Sequence, residues 1–353
     1  MSSDRLRNAT GATFDIAVTA ALRLRGLAGG GARTDKLGHA QRLEALAQVR
    51  DVYGAPRLWA EPDAFFTPPA PLAPRLEMVR EGRGVSVVDA SWPSNFEPYL
   101  EPFRAKYLAH ENNRTAYARL FLAPRPRPAV VLIHGYLAGQ WGIEERAWPL
   151  GWLSHLGFDA AIVLLPFHAL RARTDRRAPP PFPGADPRFT IEGFRQAMLD
   201  VRGLVRWLRA RGAPSVGVMG MSLGGYTTSL LATVEKNLAF AVPIIPLASV
   251  ADFARDQGRL GASHEAPEQH RALDSATQIV SPFARPSLLP GERVLVLAAE
   301  GDRITPIAHA ERLARHFDAK LVRFAGGHLL QFGRRDAFRE LRTWLRGIGA
   351  ASR

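Results

Sequence analysis

From Gly84 onward, short apolar runs rich in β-branched residues alternate with segments whose apolar positions recur every three to four residues. The runs are Val85–Val88, Ala118–Leu122, Ala129–Ile133, Ala160–Leu165, Ser215–Met219, Ala239–Ile245, Val294–Ala298 and Lys320–Phe324. Near-continuous apolar runs of this length fit strands buried on both faces. Between the fourth and fifth runs, Ile191, Phe194, Met198, Val201, Val205 and Leu208 share one face of a helix. Near the C-terminus, Phe338, Leu341 and Leu345 oppose Arg335, Arg339, Arg342 and Arg346, which makes the arginines the solvated face of another helix. Strands separated by helices predict the α/β class: a mostly parallel, eight-stranded sheet with helices on both faces.

Before Gly84 the pattern differs. An apolar stretch from Phe14 to Leu22 is interrupted by Asp15 and followed by Arg23 and Arg25. A secretory leader carries its charge ahead of its apolar region, so this stretch is a poor leader and a cytoplasmic location is expected. Its other available role is an interfacial helix, with peripheral membrane contact through residues 14–27. Gly29, Gly30 and Gly31 break the stretch. Leu37, Leu43, Leu46 and Val49 then recur at helical spacing, and Thr67 to Pro74 reads as an extended, proline-rich linker. The chain thus divides into a helical N-terminal extension, 1–84, and an α/β domain, 85–353, with no internal repeat.

Composition removes several function classes. The 353 residues include 46 Lys+Arg against 33 Asp+Glu, a formal charge of +13. Four of the basic residues are lysine (Lys36, Lys106, Lys236, Lys320) and 42 are arginine, dispersed along the chain. A nucleic-acid binder concentrates its charge in a stripe with interleaved aromatics, so no nucleic-acid partner is expected. No apolar run approaches the length of a spanning helix. The absence of cysteine excludes disulfides, a thiol nucleophile and thiolate metal sites.

The candidate chemistry lies at strand ends. Gly220-Met221-Ser222-Leu223-Gly224 has the form G-x-S-x-G. A strand precedes it and the helical segment from Tyr226 follows, an arrangement that lifts a serine hydroxyl clear of a sheet. A serine hydroxyl needs a base, and the base an orienting acid. The seventh run, Val294–Ala298, ends in Glu300-Gly301-Asp302-Arg303-Ile304-Thr305-Pro306, and the last ends in Gly326-Gly327-His328. Asp302 is preferred over Glu300, which belongs to the strand end, and over Asp318. Upstream, His134-Gly135-Tyr136 follows the third run, where the Tyr136 N–H can join that of Leu223 in an oxyanion hole. His168 follows the fourth run and is a candidate for the substrate pocket. The basic run Arg171-Ala172-Arg173 beside it reads as a solvated loop or as a contact for an anionic substrate. His264 and His270 lack the spacing and carboxylates of a metal site, and no phosphate-binding glycine loop is present, so no cofactor or metal is expected.

These four motifs, in this order, resemble those of the α/β-hydrolase superfamily of serine hydrolases over about Val85 to the C-terminus. GMSLGG is similar to the nucleophile elbow, EGDRITP to the acid loop, GGH to the base loop and HGYLAG to the oxyanion turn. The resemblance implies a Ser222–His328–Asp302 triad acting on a small-molecule ester, thioester or amide through an acyl-enzyme. It also implies a cap-like insertion after the sixth strand, about residues 249–290, that selects the acyl group. An acyltransferase on the same triad, or a non-catalytic binding protein on the same fold, are the other functions compatible with it. Oligomeric state is not readable from the chain.

Overall fold

A computed structural model describes residues 3–24, 37–59, 61–82, 84–173 and 179–351. Arg25, residues 25–27 of the interfacial stretch and Gly29–Gly31 lie outside the described residues. The N-terminal part contains α1 (Ser3–Leu24), α2 (His39–Tyr53), the single turn α3 (Pro62–Phe65) and β1 (Arg75–Gly82). Then follow β2 (Val85–Pro93), α4 (Glu101–Leu108), β3 (Thr115–Leu122), β4 (Ala129–Ile133), α5 (Trp141–Ala147), α6 (Leu150–His155) and β5 (Asp159–Val163). Next come α7 (Pro187–Ala210), β6 (Val216–Met221), α8 (Leu223–Leu231), β7 (Ala241–Ile244), α9 (Val250–Asp256) and α10 (Ala266–Thr277). The chain ends with β8 (Leu295–Ala299), α11 (Ala308–His316), β9 (Lys320–Phe324) and α12 (Arg334–Gly347).

All nine strands form one sheet in the order β1-β2-β3-β5-β4-β6-β7-β8-β9. The pairs β1–β2, β2–β3 and β3–β5 are antiparallel, and every later pair is parallel. The sheet therefore has one strand more than the eight the apolar pattern predicts. The additional strand, β1, is exposed at all eight positions, and its apolar residues, Leu76, Met78 and Val79, are broken up by charges and form no run. It pairs with β2 from Arg75↔Ser91 to Gly82↔Val85.

Every residue of β4, β5 and β8 is buried, as expected for strands covered on both faces. On one face α7 supplies Ile191, Phe194, Met198, Val201 and Val205 to the larger apolar cluster. Pro187 opens this helix, and Asp186 caps it by accepting the Arg188 N–H at 3.1 Å. On the other face α12 contributes Phe338, Leu341 and Leu345.

Segments before β1 share this core. Leu46, Val49, Tyr53, Phe65 and Phe66 belong to the same cluster as α7. Buried polar groups of α7 hold them: Glu192 accepts from the Tyr53 hydroxyl at 2.7 Å, while Arg195 and Arg202 donate to the Phe65 and Phe66 carbonyls at 2.9 and 2.8 Å. The segment 249–290 carries α9 and α10, and α10 packs on α2, where Arg42 donates to Gln269 at 2.7 Å. Among the described residues no helix is long and apolar enough to cross a membrane.

Candidate active site

Ser222 is the hinge between β6 and α8, at φ 56° and ψ −112°. Positive φ costs a non-glycine residue energy, and such strain persists only where the surroundings over-determine it. Here they do. A Cβ on Gly220 would lie 2.1 Å from the Gly224 carbonyl oxygen, and one on Gly224 would lie 2.1 Å from that of Ile133. The turn is closed by glycines that allow no side chain. The Ser222 N–H donates to the Ile244 carbonyl at 2.9 Å, pinning the turn to β7. Leu223 is the first residue of α8, so its N–H has no acceptor within the helix and points with the helix's positive end.

The turn after β4 lies against this elbow: a Cβ on Gly135 would be 3.5 Å from the Ser222 Cβ. His134 is fully buried and fixes the turn through both ring nitrogens. Its Nδ1 lies 2.7 Å from the Gly135 carbonyl, and its Nε2 accepts the Leu165 N–H at 3.0 Å. The proton is therefore on Nδ1, and burial pushes the pKa down to about 4. Glu144 braces the other end of the turn, accepting from the Gly139 N–H at 2.8 Å and from the Trp148 indole at 3.1 Å. Tyr136 carries its hydroxyl into a buried position without a hydrogen-bond partner among the described residues, and burial pushes its pKa up to about 12.

Asp302 and His328 meet at the ends of β8 and β9. Asp302 is buried, and its Oδ1 accepts the N–H groups of Ile304 and Thr305 at 2.8 and 2.7 Å. Its Oδ2 is thereby turned to His328 Nδ1, 2.7 Å away. The Thr305 hydroxyl lies 2.9 Å from the same Oδ2 and 3.1 Å from the ring nitrogen. Burial disfavours the His328 imidazolium, but the charge and hydrogen bond of Asp302, with the charge of Asp15, outweigh it and raise the pKa. The rival Glu300 is exposed and accepts from Asn8 at 2.8 Å, and Asp318 is exposed in the turn before β9. Ser222 Oγ and the His328 ring are not hydrogen-bonded to each other here, which is common where no substrate is bound.

His168 is buried beside this region. Its Nδ1 lies 2.8 Å from the Pro166 carbonyl, and its buried Nε2 has no hydrogen-bond partner among the described residues. Burial, reinforced by His134, pushes its pKa down to about 3. With Leu137, Trp141 and Arg173 it lines a cavity of about 400 Å³ that adjoins the oxyanion turn. Arg171 is neither solvated nor turned to a substrate. It is fully buried, 2.8 Å from Asp200, and donates to the Leu164 and Asn113 carbonyls.

Three residues on which the site depends escaped the sequence reading. Glu144 lies in no recognisable pattern, and Thr305 lies within EGDRITP but with no role assigned to it. Asp15 carries a signal, a lone carboxylate in an apolar stretch. It is fully buried against the base loop.

The mostly parallel sheet, with the strained Ser222 turn after β6 and the Asp302 and His328 loops after the last two strands, defines an α/β-hydrolase fold. Solved structures agree on that fold. The acetyl xylan esterase from Paenibacillus sp. R4 is similar at TM-score 0.55 and 13% identity, over 85% of this chain and 92% of that one. Acetyl xylan esterase 1 from Thermoanaerobacterium sp. JW/SL YS485 is similar at TM-score 0.50 and 15% identity, over 94% and 98%. By sequence, the chain belongs to the family of the uncharacterized protein Rv2627c of Mycobacterium tuberculosis (strain ATCC 25618 / H37Rv), to which it is 31% identical over 316 residues, 87% of this chain and 75% of the relative. The uncharacterized protein MT2702 of the CDC 1551 / Oshkosh strain is 32% identical over 317 residues. No family model matches the chain.

Proposed function

We propose that this protein is a serine hydrolase that cleaves a carboxylic ester of a small molecule through an acyl-enzyme. The observation that carries the reading is the Asp302–His328 contact at 2.7 Å on the strands that follow a serine held at φ 56°. His328 Nε2 removes the Ser222 Oγ proton as Oγ bonds to the ester carbonyl carbon, and the carbonyl π pair moves onto oxygen. The Leu223 and Tyr136 N–H groups receive that charge, and losing one such donor costs about 10²–10³ in rate. Collapse breaks the ester C–O bond, and the departing alcohol takes the proton from His328. Water then repeats the sequence on the acyl-serine, releasing the carboxylic acid and restoring Ser222. Asp302 holds the Nδ1–H tautomer throughout and stabilises the imidazolium.

Ester rather than amide cleavage is favoured by the structural relatives, which are named as esterases. The test is labelling with a fluorophosphonate probe, wild type against Ser222→Ala. Labelling of the wild type alone is the expected result. An unlabelled wild type, or a labelled Ser222→Ala, removes the nucleophile and the reading with it. Hydrolysis of p-nitrophenyl esters of increasing chain length then sorts short-chain esterase from lipase.

A further inference from the structure

The first helix lies across both loops that carry the acid and the base. Gly11 meets the base loop so closely that a Cβ there would be 2.2 Å from the Gly327 nitrogen. One on Gly301 would be 2.5 Å from the Asn8 carbonyl oxygen. Asn8 spans the two loops, donating to Glu300 at 2.8 Å and accepting the Gly326 N–H at 2.7 Å. About two turns further along α1, Asp15 is buried with no exposed surface. Its Oδ2 accepts the backbone N–H of His328 at 2.7 Å and that of Arg303 at 3.2 Å. Its Oδ1 accepts the Leu329 N–H at 3.0 Å. A buried carboxylate is costly unless its lone pairs are matched, and here three amides from two loops match them.

We infer that α1 is part of the hydrolytic machinery and that Asp15 is a positioning residue, tying the His328 loop to the Asp302 loop so that the imidazole is held to its acid. The inference rests on the triad reading above and adds to it an element outside the α/β core. The Gly326-Gly327 loop has backbone ties of its own, from the Gly301 N–H to the Gly326 carbonyl at 2.8 Å and from the Gly327 N–H to the Leu330 carbonyl at 2.9 Å, but the backbone N–H of His328 itself is held by Asp15. Gly326 sits at φ 129°, a conformation other residues rarely adopt, and a free loop of this kind samples many orientations of the following histidine. Asp15 also acts on the ring at a distance. The charges that bear on His328 are those of Asp302, from the loop after β8, and Asp15, from α1. The facing turn, Gly220 to Gly225, contributes no charged side chain.

The experiment compares wild type, Asp15→Asn and Gly11→Ala in the full chain, reading kcat and KM against pH and the rate of fluorophosphonate labelling. Asp15→Asn keeps the shape but turns one acceptor into a donor and removes the charge. It is expected to lower kcat at least tenfold with KM nearly unchanged, and to move the acid midpoint of the kcat/KM profile to lower pH. Gly11→Ala pushes α1 off the base loop while keeping Asp15, and is expected to lower kcat as well. It covers the case in which Asp15→Asn does not fold. Wild-type kcat and an unmoved midpoint in Asp15→Asn, or wild-type kcat in a folded Gly11→Ala, overturn the inference. A loss in Asp15→Asn that appears in KM alone also does so. Failure of the triad reading is seen separately, as wild-type protein that does not label.

Discussion

His328 Nδ1 stands 2.7 Å from Asp302 Oδ2, a contact that orients the ring and that, on the proposed triad in which His328 is the general base, sets the pH dependence expected of the reaction. A general base must be neutral to take a proton, so kcat/KM falls as pH drops through the pKa of His328 in the free enzyme. That pKa lies above the usual 6.5, because the neighbouring carboxylate charges outweigh the burial that opposes the imidazolium. The acid limb of the kcat/KM profile is expected to have its midpoint above 6.5. A midpoint at or below 6.5 contradicts the assignment. The linked stability term has the same sign: the contribution of His328 is full below 6.5 and is lost as pH rises through its folded pKa.

Replacing Asp302 by Asn tests the tautomer directly. Asp302 Oδ1 is saturated by two backbone N–H groups, so Oδ2 is the atom left for the imidazole. An amide nitrogen there would donate where His328 also donates, and the ring would have to carry its proton on Nε2, facing Ser222. The expected loss in kcat is about 10⁴ with the fold retained. A loss under tenfold in a folded variant would move the acid role elsewhere in the loop.

The serine elbow stores strain that a smaller residue releases. Ser222 at φ 56° carries a penalty of about 1–3 kcal/mol. Glycine removes it but loses about 0.5–1 kcal/mol through the freedom of its unfolded chain. Ser222→Gly is therefore expected to be about 1 kcal/mol more stable than wild type in urea unfolding, and inert towards the probe. Gly224→Ala is expected to lose ~3 kcal/mol, because its Cβ would collide with the Ile133 carbonyl 2.1 Å away. A destabilised Ser222→Gly would mean that the elbow is unstrained.

The parts of this molecule that were legible in the chain are those whose physics is local. Eight strands show as apolar runs, and Ser222, Asp302 and His328 stand out because each follows such a run in a glycine- or proline-marked loop. β1 was missed because its three apolar residues, Leu76, Met78 and Val79, stand among charges and form no buried run, and the strand exists by pairing with β2. Arg171 was misread for the opposite reason. A basic cluster suggests solvent, whereas this guanidinium is buried against Asp200 and donates through both terminal nitrogens to the Leu164 and Asn113 carbonyls. Asp15 could have been noticed as a polar break in an apolar stretch. Its partners lie some three hundred positions away, where no periodicity reaches.

Arg171 offers a clean contrast between structural and substrate roles. It and Asp200 are both buried, at 0% and 2% side-chain exposure, with nitrogen and oxygen 2.8 Å apart. Removing one partner of such a pair leaves an uncompensated charge and costs about 3–5 kcal/mol. Arg171→Met is expected to lower the urea midpoint accordingly, while kcat/KM per folded molecule stays within a few-fold for neutral and anionic esters alike. A raised KM for anionic esters at unchanged stability would instead place Arg171 at the substrate.

The neutral histidines under the oxyanion turn predict how the fold responds to acid. His134 and His168 are buried with pKa values near 4 and 3, both pushed down by desolvation. In the unfolded chain each binds a proton near pH 6.5, so below that value the unfolded state binds more protons than the folded one and stability falls with pH. Each such histidine contributes a slope of about 1.4 kcal/mol per pH unit until its folded pKa is reached. His328 adds nothing to this slope, because its raised pKa titrates above the window. Buried carboxylates such as Glu144, whose pKa is raised by burial, act in the opposite direction, so the comparison must be between variants. His168→Leu is expected to reduce the pH slope of unfolding free energy between pH 6 and 4 by about 1.4 kcal/mol per unit relative to wild type. Urea unfolding at pH 6, 5 and 4 measures it. Parallel slopes in the two proteins would mean that His168 is protonated in the folded state, and its unpartnered Nε2 would then need a different account.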